Sequence, residues 1–320
     1  MSPTEVRLRP FGAGDIDLAC DIATAARPDE PMDPVVERYH WEQPSPGLVR
    51  EWLIAEDDAG PAAFVVHEHP EWEGVSERNW WMSTLVSPGR EALLPGILRA
   101  IEVRAREGGG TLLIAECRED EATVRTALEA SGFHLDHESK VWELDLVARR
   151  EALLQLTAET RVEMRRQGIS LLTVEADPDP NVLPGLYAAW YECRRVMPRS
   201  HEMTPIPYET WETWMRSPDH RFDRNWIARD GDHIVATSNL VFPPTRGNVW
   251  TGFTGTVPGH QGRGIARAVK METLAQAIEL GVPRVRTDND ERNAPMLHIN
   301  ERLGYHRLPS WMAYEKEIAG

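Results

Sequence analysis

The sequence predicts a mixed α/β protein of the α+β type, with a mixed sheet, that contains the same unit twice. Three observations support this. The first is an internal repeat with a period of roughly 172 residues. The second is the order within each copy, which reads as strand, helices, strand hairpin, longer strand, helix, strand, helix and strand. The third is the length of 320 residues, which at roughly 100–200 residues per domain favours two domains.

The strand hairpin is the clearest repeated element. EWLIAEDDAGPAAFVVHE (51–68) and NWIARDGDHIVATSNLVF (225–242) both read as a strand, a tight acidic turn and a second strand. The turn Asp230-Gly231-Asp232 is a good hairpin signal, because glycine accepts the positive φ that tight hairpin turns need. The longer strands that follow, NWWMSTLV and NVWTGFTGTV, end at Val86 and Val257.

The last part of each copy also matches. Residues 128–146 and 300–318 each contain a helix that ends at a glycine followed by an aromatic residue, and then a closing strand. Between the copies, residues 147–168 place apolar side chains at near-helical spacing amid dense charge, which predicts a linker helix capped by Gly168. We therefore expect a first domain at 1–146, a linker helix at 147–168 and a second domain at 169–320.

The composition excludes several classes of protein. No apolar run approaches the ~20 residues needed to cross a bilayer, and the first ten residues lack the apolar core of a secretion signal. The net charge of −16 argues against a nucleic-acid or anionic-membrane surface; it fits a cationic small substrate or mere solubility. The three cysteines match no metal or disulfide spacing and are expected to be spectators. We expect a cytoplasmic protein without a metal.

A glycine turn follows the strand that ends at Val257. Gly262-Arg263-Gly264 leads directly into a helix predicted to begin near Ile265. A helix start has unpaired N–H groups and a partial positive charge, and glycine lets a ligand approach the backbone closely. Together with Arg267, these features predict a phosphate or pyrophosphate site; the alternative is a turn that only caps the helix. The spacing is neither a nucleotide P-loop nor a full GxGxxG.

Two motifs carry a resemblance to a known family. Gln261-Gly262-Arg263-Gly264-Ile265-Ala266 resembles the acyl-CoA loop Q/R-x-x-G-x-G/A of the GNAT N-acetyltransferase superfamily. About 30 residues later, TDNDERNAPMLHINERLGYHRL resembles the family's next element, with Asn293 at the Asn position and Leu303-Gly304-Tyr305 at the helix end. The resemblance covers the second half. Through the repeat it extends to the first half as fold only, which resembles the tandem GNAT architecture that includes mycothiol synthase.

The resemblance implies acetyl-CoA as cofactor. Backbone N–H groups from Gln261 to Arg267 would hold the pyrophosphate, and the two arginines of the loop would steer the phosphates or merely be solvated. Thr256 and Val257 would pair with the pantetheine arm like an added strand, where one N–H would polarise the thioester carbonyl. The residues implied to contact the cofactor are Thr256, Val257, Gln261, Gly262, Arg263, Gly264, Ile265, Ala266, Arg267 and Asn293.

The corresponding loop of the first copy, VSPGREALLPGIL, departs from the motif. Glu91 stands where Gly262 does and adds negative charge, Leu93 replaces the second glycine, and Pro95 removes a backbone donor. We interpret the first copy as a non-binding unit. It would brace the second copy and form one wall of its substrate cleft, or else be an independent folding module.

Catalysis by direct attack needs a base for the amine and a way for the thiolate to leave. The family often uses a tyrosine as the acid, but Asn300 stands at that position here. The thiolate would then leave into solvent, or another group would act as the acid that protonates it. Tyr305 and Tyr314 are more consistent with core positions. The preferred base is Asp288, where RVRTDN leaves its strand, unless it only caps the turn; Glu175 and Glu192 are alternatives. The missing tyrosine also argues against mycothiol synthase itself.

The expected function is transfer of an acetyl group from acetyl-CoA to an amine of a small molecule in a ternary complex, by a monomer or homodimer. Residues 191–215, rich in Pro, Met and aromatic residues, are a candidate lid over the acceptor cleft or a packed connector. Two alternatives stay open. One is acetylation of a protein or peptide amine. The other is an acyl-CoA-binding sensor module without turnover.

Overall fold

The computed structural model describes residues 6–72 and 77–318. The strands of the described chain are β1 (Arg7–Pro10), β2 (Leu48–Asp57), β3 (Gly60–Pro70), β4 (Asn79–Val86), β5 (Leu112–Arg118), β6 (His134–Asp145), β7 (Ile169–Thr173), β8 (Asn225–Asp230), β9 (His233–Val241), β10 (Trp250–Thr256), β11 (Arg284–Asp290), β12 (His306–Arg307) and β13 (Trp311–Glu317). The helices are α1 (Ile16–Ala26), α2 (Pro34–Glu42), α3 (Leu94–Glu107), α4 (Ala122–Ala130), α5 (Arg150–Arg166), α6 (Val182–Arg195), α7 (Tyr208–Met215), α8 (Ile265–Glu279) and α9 (Ala294–Leu303).

The two copies seen in the sequence build one continuous sheet. Its order is β1-β2-β3-β4-β5-β13-β6-β11-β10-β9-β8-β7, with β12 paired to β6 beside this path. The first five strands therefore mirror β7 to β11, as the repeat predicts. The β8–β9 hairpin turns at Gly231, whose φ of 58° confirms the turn predicted from the acidic Gly signal.

The final strands of the two halves are exchanged at the centre of the sheet. β13, from the second half, lies between β5 and β6 of the first half. In return, β6 pairs with β11 from Asp290↔Ser139 to Arg284↔Asp145. The repeat divides the sequence near residue 146, but the sheet is shared by both halves.

In both halves the two parallel strands separate partway along their length. β4 and β5 pair from Asn79↔Leu112 to Met82↔Ala115, whereas β10 and β11 pair at Trp250↔Arg286 alone. β10 also carries a bulge between Thr251 and Phe253 where it pairs with β9. Because backbone N–H and C=O groups need partners, the long gap between β10 and β11 is a place where an extended ligand can pair with the sheet.

Helix α8 lies at the centre of the second half and is buried on most sides. It packs on β8, β9 and β10, while α6 covers the opposite face of β9 and β10. Helix α5, between the two copies in sequence, packs on α8: the Thr157 hydroxyl donates toward the Met271 carbonyl at 3.4 Å, and Arg161 forms an ion pair with the buried Glu272 at 2.7 Å. Gly168, at φ 74°, follows the end of α5.

The three cysteines lie in the core. Cys20, Cys117 and Cys193 are buried and free, and burial raises the pKa of each thiol to about 12. A thiol with that pKa is unreactive at neutral pH, in agreement with the spectator role predicted for them. No helix within the described ranges has the length and apolar character needed to span a membrane.

Candidate active site

The glycine loop has the geometry that an anion site needs. Gly262 and Gly264 have φ values of 76° and 79°, in the left-handed region that side chains disfavour. Gly264 is the N-cap of α8, and the helix begins at the buried Ile265, as predicted. Ala266 follows in the first turn. The space above Gly262 is open, since nothing lies within 4 Å of the position where a Cβ would be.

The two arginines of this loop are in different situations. Arg263 is bound to its surroundings: its guanidinium lies 3.2 Å from the Asp230 carboxylate and donates to the Gln167 side chain at 3.1 Å. Arg267 has a buried Nε without a hydrogen-bond partner among the described residues, and its Nη2 would lie 3.8 Å from a Cβ on Gly264. A buried unpaired donor is costly, so Arg267 is the arginine that fits a phosphate.

The end of β10 presents Thr256 to the gap between β10 and β11. The Val257 N–H donates to the Val235 carbonyl at 2.9 Å, and the Val257 carbonyl accepts from the His260 N–H at 2.9 Å. Because backbone groups alternate in direction along a strand, the N–H and C=O of Thr256 point the other way, toward β11. The Gln261 side chain approaches that carbonyl at 3.4 Å. Of the two strand residues expected to meet pantetheine, Thr256 is the one with backbone groups aimed at the gap.

Asn293 and its counterpart Glu121 occupy the same place in the two halves, at the N-caps of α9 and α4. The Asn293 side chain accepts weakly from the Met296 N–H at 3.4 Å. Glu121 is instead held by Arg27, whose Nε donates to it at 2.7 Å. The carboxylate of the first half is thus committed to an ion pair, whereas the amide of the second half is only loosely held.

The corresponding loop of the first half is held by contacts with its own half. Leu93, at the place of Gly264, is buried in the core of that half, and the Arg90 guanidinium binds the Asp57 carboxylate. The first-half loop thus has a buried leucine where the second half has the N-cap glycine of α8, and its role as a non-binding copy stays a prediction.

Asp288 lies on β11 two residues beyond the Trp250↔Arg286 pair, in the part of the strand that has left β10. Its repeat counterpart is Glu116 on β5, which pairs with Ala313 of β13. In the shared sheet the two carboxylates lie on the same face, with Ala313, His137 and Val141 between them in the pairing register. We call this part of the sheet face the central trough.

Both carboxylates of the trough are accessible to solvent but crowded by protein. Desolvation raises the pKa of Asp288, and the Lys270 ammonium partly offsets this. Desolvation also raises the pKa of Glu116, and the nearby Asp288 raises it further. A carboxylate with a raised pKa is a better general base near neutral pH. Glu116 was missed from the sequence, although the repeat alignment places it opposite Asp288.

Two segments wall the trough, one from each half. Residues 27–33 lie on one side, where the Asp29 carbonyl accepts from Arg286 at 3.1 Å. Residues 196–207, part of the predicted lid, lie on the other, where His201 approaches Glu315 at 3.1 Å. The halves also touch through α2 and α7, where the Tyr39 hydroxyl donates to the Thr213 carbonyl at 2.8 Å.

A buried polar network lies on the opposite face of β11. The Lys270 ammonium donates to the Asn300 side chain at 3.0 Å, and Asn300 donates to the Asn289 side chain at 2.7 Å. Lys270 and Asn300 are both fully buried. Desolvation lowers the pKa of Lys270 to about 7, against the raising effect of Asp288. Asn300, at the expected tyrosine position, is thus the acceptor for a lysine.

Sequence reasoning did not single out Lys270 as a site residue. Two signals were present: the chain has three lysines in all, and this one interrupts an apolar stretch of a helix, ARAVKMETLAQA. A charged side chain in such a position is either exposed or paired. The sequence cannot distinguish the two cases, because the partner is thirty residues away on α9.

The structure separates the other two base candidates from Asp288. Glu175 is exposed just after β7, four strand positions from β11, or about 19 Å at ~4.8 Å per strand. Glu192 is exposed on α6. Tyr305 and Tyr314 are buried, and the Tyr314 hydroxyl lies 3.0 Å from the Glu129 carboxylate. Tyr305 lies in the core of the second half, and this burial raises the pKa of its hydroxyl well above the usual value.

Comparison with known proteins identifies the fold and a family match in the second half. Residues 185–305 match the model of the acetyltransferase (GNAT) family. A solved tandem GNAT protein from the clavulanic acid biosynthesis pathway has a TM-score of 0.73 at 17% identity, covering 99% of both chains. A GCN5-related N-acetyltransferase from Sphaerobacter thermophilus has a TM-score of 0.68 at 19% identity, covering 100% of this chain and 98% of that one.

A third structure, a glucosamine N-acetyltransferase region of a fungal multi-domain GH3 beta-N-acetylglucosaminidase, has a TM-score of 0.69 at 15% identity, covering 99% of this chain and 38% of that one. At these identities the structural likenesses show the fold. No curated protein sequence matches the chain.

The family match includes the glycine loop and the strand that precedes it. Residues 185–305 carry the match to the GNAT acetyltransferase family, and the structural likeness over the whole chain shows the fold of a tandem GNAT protein. The acyl donor of this family is acetyl-CoA.

Proposed function

We propose that this protein transfers an acetyl group from acetyl-CoA to an amine of a small molecule, using the second half as the cofactor-binding unit. The observation that carries the proposal is the arrangement at the end of β10. The Thr256 backbone is aimed at the gap between β10 and β11, and Asp288 lies on the strand that forms the other side of this gap. The open glycine loop follows β10 directly, and Arg267, whose Nε has no hydrogen-bond partner among the described residues, lies in the first turn of α8.

The residues present fit acetyl-CoA. The N–H groups at the start of α8 and the Arg267 guanidinium would bind the diphosphate. The Thr256 N–H would donate to the thioester carbonyl, where charge develops during attack. Asn293, loosely held at the start of α9, is available to the pantetheine arm. When bound, acetyl-CoA supplies the activated acyl group; the protein supplies positioning and proton transfer.

Asp288 is the proposed base. An amine attacks only after it has lost a proton, and a carboxylate whose pKa is raised takes that proton more readily, directly or through one water. Glu116, across the trough, would hold the substrate in its cationic form before that step. Lys270, through Asn300, would keep Asn289 and the end of β11 in place, which makes it a positioning residue.

The trough favours a small acceptor. Its walls come from both halves, and its carboxylates attract a cation. The name of the fungal neighbour identifies an amino sugar as the substrate of that protein, which is compatible with this choice. Acetylation of a protein or peptide amine and binding of acyl-CoA without turnover are the alternatives.

Calorimetric titration of the full chain with acetyl-CoA tests the cofactor site. We expect one site per chain, lost in Gly264→Asp, because the new side chain adds strain at a positive φ and negative charge at the phosphate position. Gly259→Ala is the matched control: it lies in the same loop, its position has no positive φ, and its Cβ would meet nothing within 4 Å. Equal binding by wild type and Gly264→Asp would contradict the assignment.

A panel of small amines and peptides then tests turnover, measured as release of free CoA thiol. Acetylation of a small amine that is lost in Asp288→Asn, with acetyl-CoA binding retained, supports the proposal. Tight acetyl-CoA binding without acetylation of any member of the panel would favour the sensor alternative. Preferential acetylation of peptides would favour the second alternative.

A further inference from the structure

Three side chains with metal-binding atoms converge beside the trough, away from the glycine loop. They are Asp136 of β6, His201 of the 196–207 segment and Glu315 of β13, and their ligand atoms all lie within 4.8 Å of one another. His201 Nε2 lies 3.1 Å from Glu315 Oε2 and 3.9 Å from Asp136 Oδ2. Each side chain is about four-fifths buried.

These separations are close to those of a metal polyhedron. Zinc binds imidazole nitrogen and carboxylate oxygen at about 2.0–2.2 Å, so neighbouring ligand atoms of a tetrahedral site lie roughly 3.3–3.6 Å apart. The two distances from His201 Nε2, 3.1 and 3.9 Å, lie on either side of this range. We propose that Asp136, His201 and Glu315 form a binding site for a divalent transition-metal ion such as zinc, which fastens the 196–207 segment to the sheet.

Each of the three ligands has an outer partner of the kind that supports metal sites. The other ring nitrogen of His201, Nδ1, faces the Glu77 carboxylate at 3.5 Å. His137 Nδ1 lies 2.6 Å from the Asp136 carboxylate. His134 Nε2 lies 3.0 Å from Glu315 Oε1. A carboxylate behind the histidine fixes the tautomer that leaves Nε2 free for a metal.

The two oxygens of the Glu315 carboxylate are in different surroundings. Glu315 Oε2 is buried and has no hydrogen-bond partner among the described residues, although it points at His201 Nε2. A buried carboxylate oxygen without a donor is costly, and a cation between these two atoms removes that cost. The simplest alternative is a protonated His201 that forms an ion pair with Glu315 and Asp136.

The metal would join three parts of the chain that are distant in sequence. Asp136 belongs to the first half, Glu315 to the exchanged final strand, and His201 to one wall of the trough. Its role would be structural: it would hold that wall in place and strengthen the contact between the halves. The inference is independent of the proposed catalytic function.

Zinc binding to the tag-free full chain tests the proposal. After removal of metals with a chelator, the protein is titrated with zinc(II) in competition with a chromogenic chelator, and bound zinc is counted by elemental mass spectrometry. We expect one zinc per chain. We also expect His201→Ala and Glu315→Gln to lose this binding, and Glu77→Gln to weaken it by about 10–100-fold, as outer partners do.

His233→Ala is the matched control, since His233 is exposed at the start of β9, and it should bind zinc like wild type. Zinc should also protect the 196–207 segment from limited proteolysis in wild type and not in His201→Ala. Circular dichroism of each variant verifies folding. Absence of bound zinc, or equal binding by wild type, His201→Ala and Glu315→Gln, would overturn the proposal. Protection that depends on low pH and not on zinc would also overturn it, in favour of the protonated histidine.

Discussion

The Lys270 ammonium donates to the Asn300 side chain across 3.0 Å, with both residues fully buried behind β11. The pair lies on the face of β11 opposite to the one that carries Asp288. The Asn300 side chain also donates a hydrogen bond to the Asn289 side chain at 2.7 Å. The position where the family often has a tyrosine is therefore used here to satisfy a buried lysine, in place of a proton donor.

Lys270 should make stability depend on pH. Its pKa is lowered from 10.5 to about 7 in the folded protein, so between those values the unfolded chain binds more protons than the folded one. The free energy of unfolding of the wild type then rises with pH in this window, and Lys270 contributes about 1.4 kcal/mol per pH unit to the rise. Below pH 7 the lysine is charged in the folded protein too, so the full cost of burying the ammonium is present there. Lys270→Met lacks this slope. Urea unfolding of both proteins from pH 7 to 9 measures it; parallel stability curves would show that the lysine is not buried in this state.

The two arginines of the glycine loop should differ in their effect on acetyl-CoA. The buried Nε of Arg267 has no hydrogen-bond partner within residues 6–72 and 77–318, whereas Arg263 already binds Asp230 and Gln167. Loss of a charge-assisted hydrogen bond costs about 1.5–3 kcal/mol, so Arg267→Met should weaken acetyl-CoA binding by about 10–100-fold. Arg263→Met should have a smaller effect. Calorimetry at fixed ionic strength decides between them, and a larger loss in Arg263→Met would reverse the two roles.

Asp288 and Glu116 should have separable roles. Asp288→Asn should lower kcat by about 10²–10⁴-fold, the usual contribution of a general base, with acetyl-CoA binding unchanged. Glu116→Gln should act mainly on KM for the amine. Wild-type activity should fall as pH drops through the raised pKa of Asp288, because only the ionised carboxylate accepts a proton. Steady-state kinetics across pH checks both effects. The assignment fails if Asp288→Asn retains the acid limb of the wild-type profile.

The exchange of final strands predicts that neither half folds well alone. A fragment of residues 147–320 would expose the edge of β11 along the register from Arg284 to Asp290 and would leave β13 without β5 and β6. Long unpaired edges promote aggregation. We expect fragments 1–146 and 147–320 to be unstable or aggregated separately and to form a folded complex when co-expressed. Size-exclusion chromatography and circular dichroism would show this; two stable, monomeric fragments would mean that the exchanged strands contribute little.

Much of the fold could be predicted from the sequence because its signals are local. The turn at Gly231, the start of α8 at Ile265 and the end of α5 near Gly168 each depend on a few neighbouring residues. Because the same unit occurs twice, a prediction made for one half also applies to the other half. The glycine loop was found for the same reason: its positive φ values and helix start lie within a few residues of each other.

Other features depend on which distant residues meet. Arg263 and Arg267 are alike in sequence, and only the positions of Asp230 and Gln167 show that Arg263 is bound, whereas the Arg267 Nε has no hydrogen-bond partner among the described residues. Glu175 and Asp288 both lie near the ends of strands, but the sheet order places one beside the edge strand β7 and the other on β11, beside the gap.

The sequence by itself determined the repeated α/β unit, the positions of the glycine turn and of the helix that follows it, and the absence of both glycines from the first-half loop, because glycine conformation, helix starts and hydrophobic period are short-range properties. Only the tertiary structure decided that β6 and β13 change places, that Glu116 joins Asp288 in one trough, and that Lys270 is buried against Asn300. Strand pairing and side-chain burial depend on backbone hydrogen bonds and apolar contacts between residues that are distant in the sequence. A local sequence pattern therefore cannot predict them.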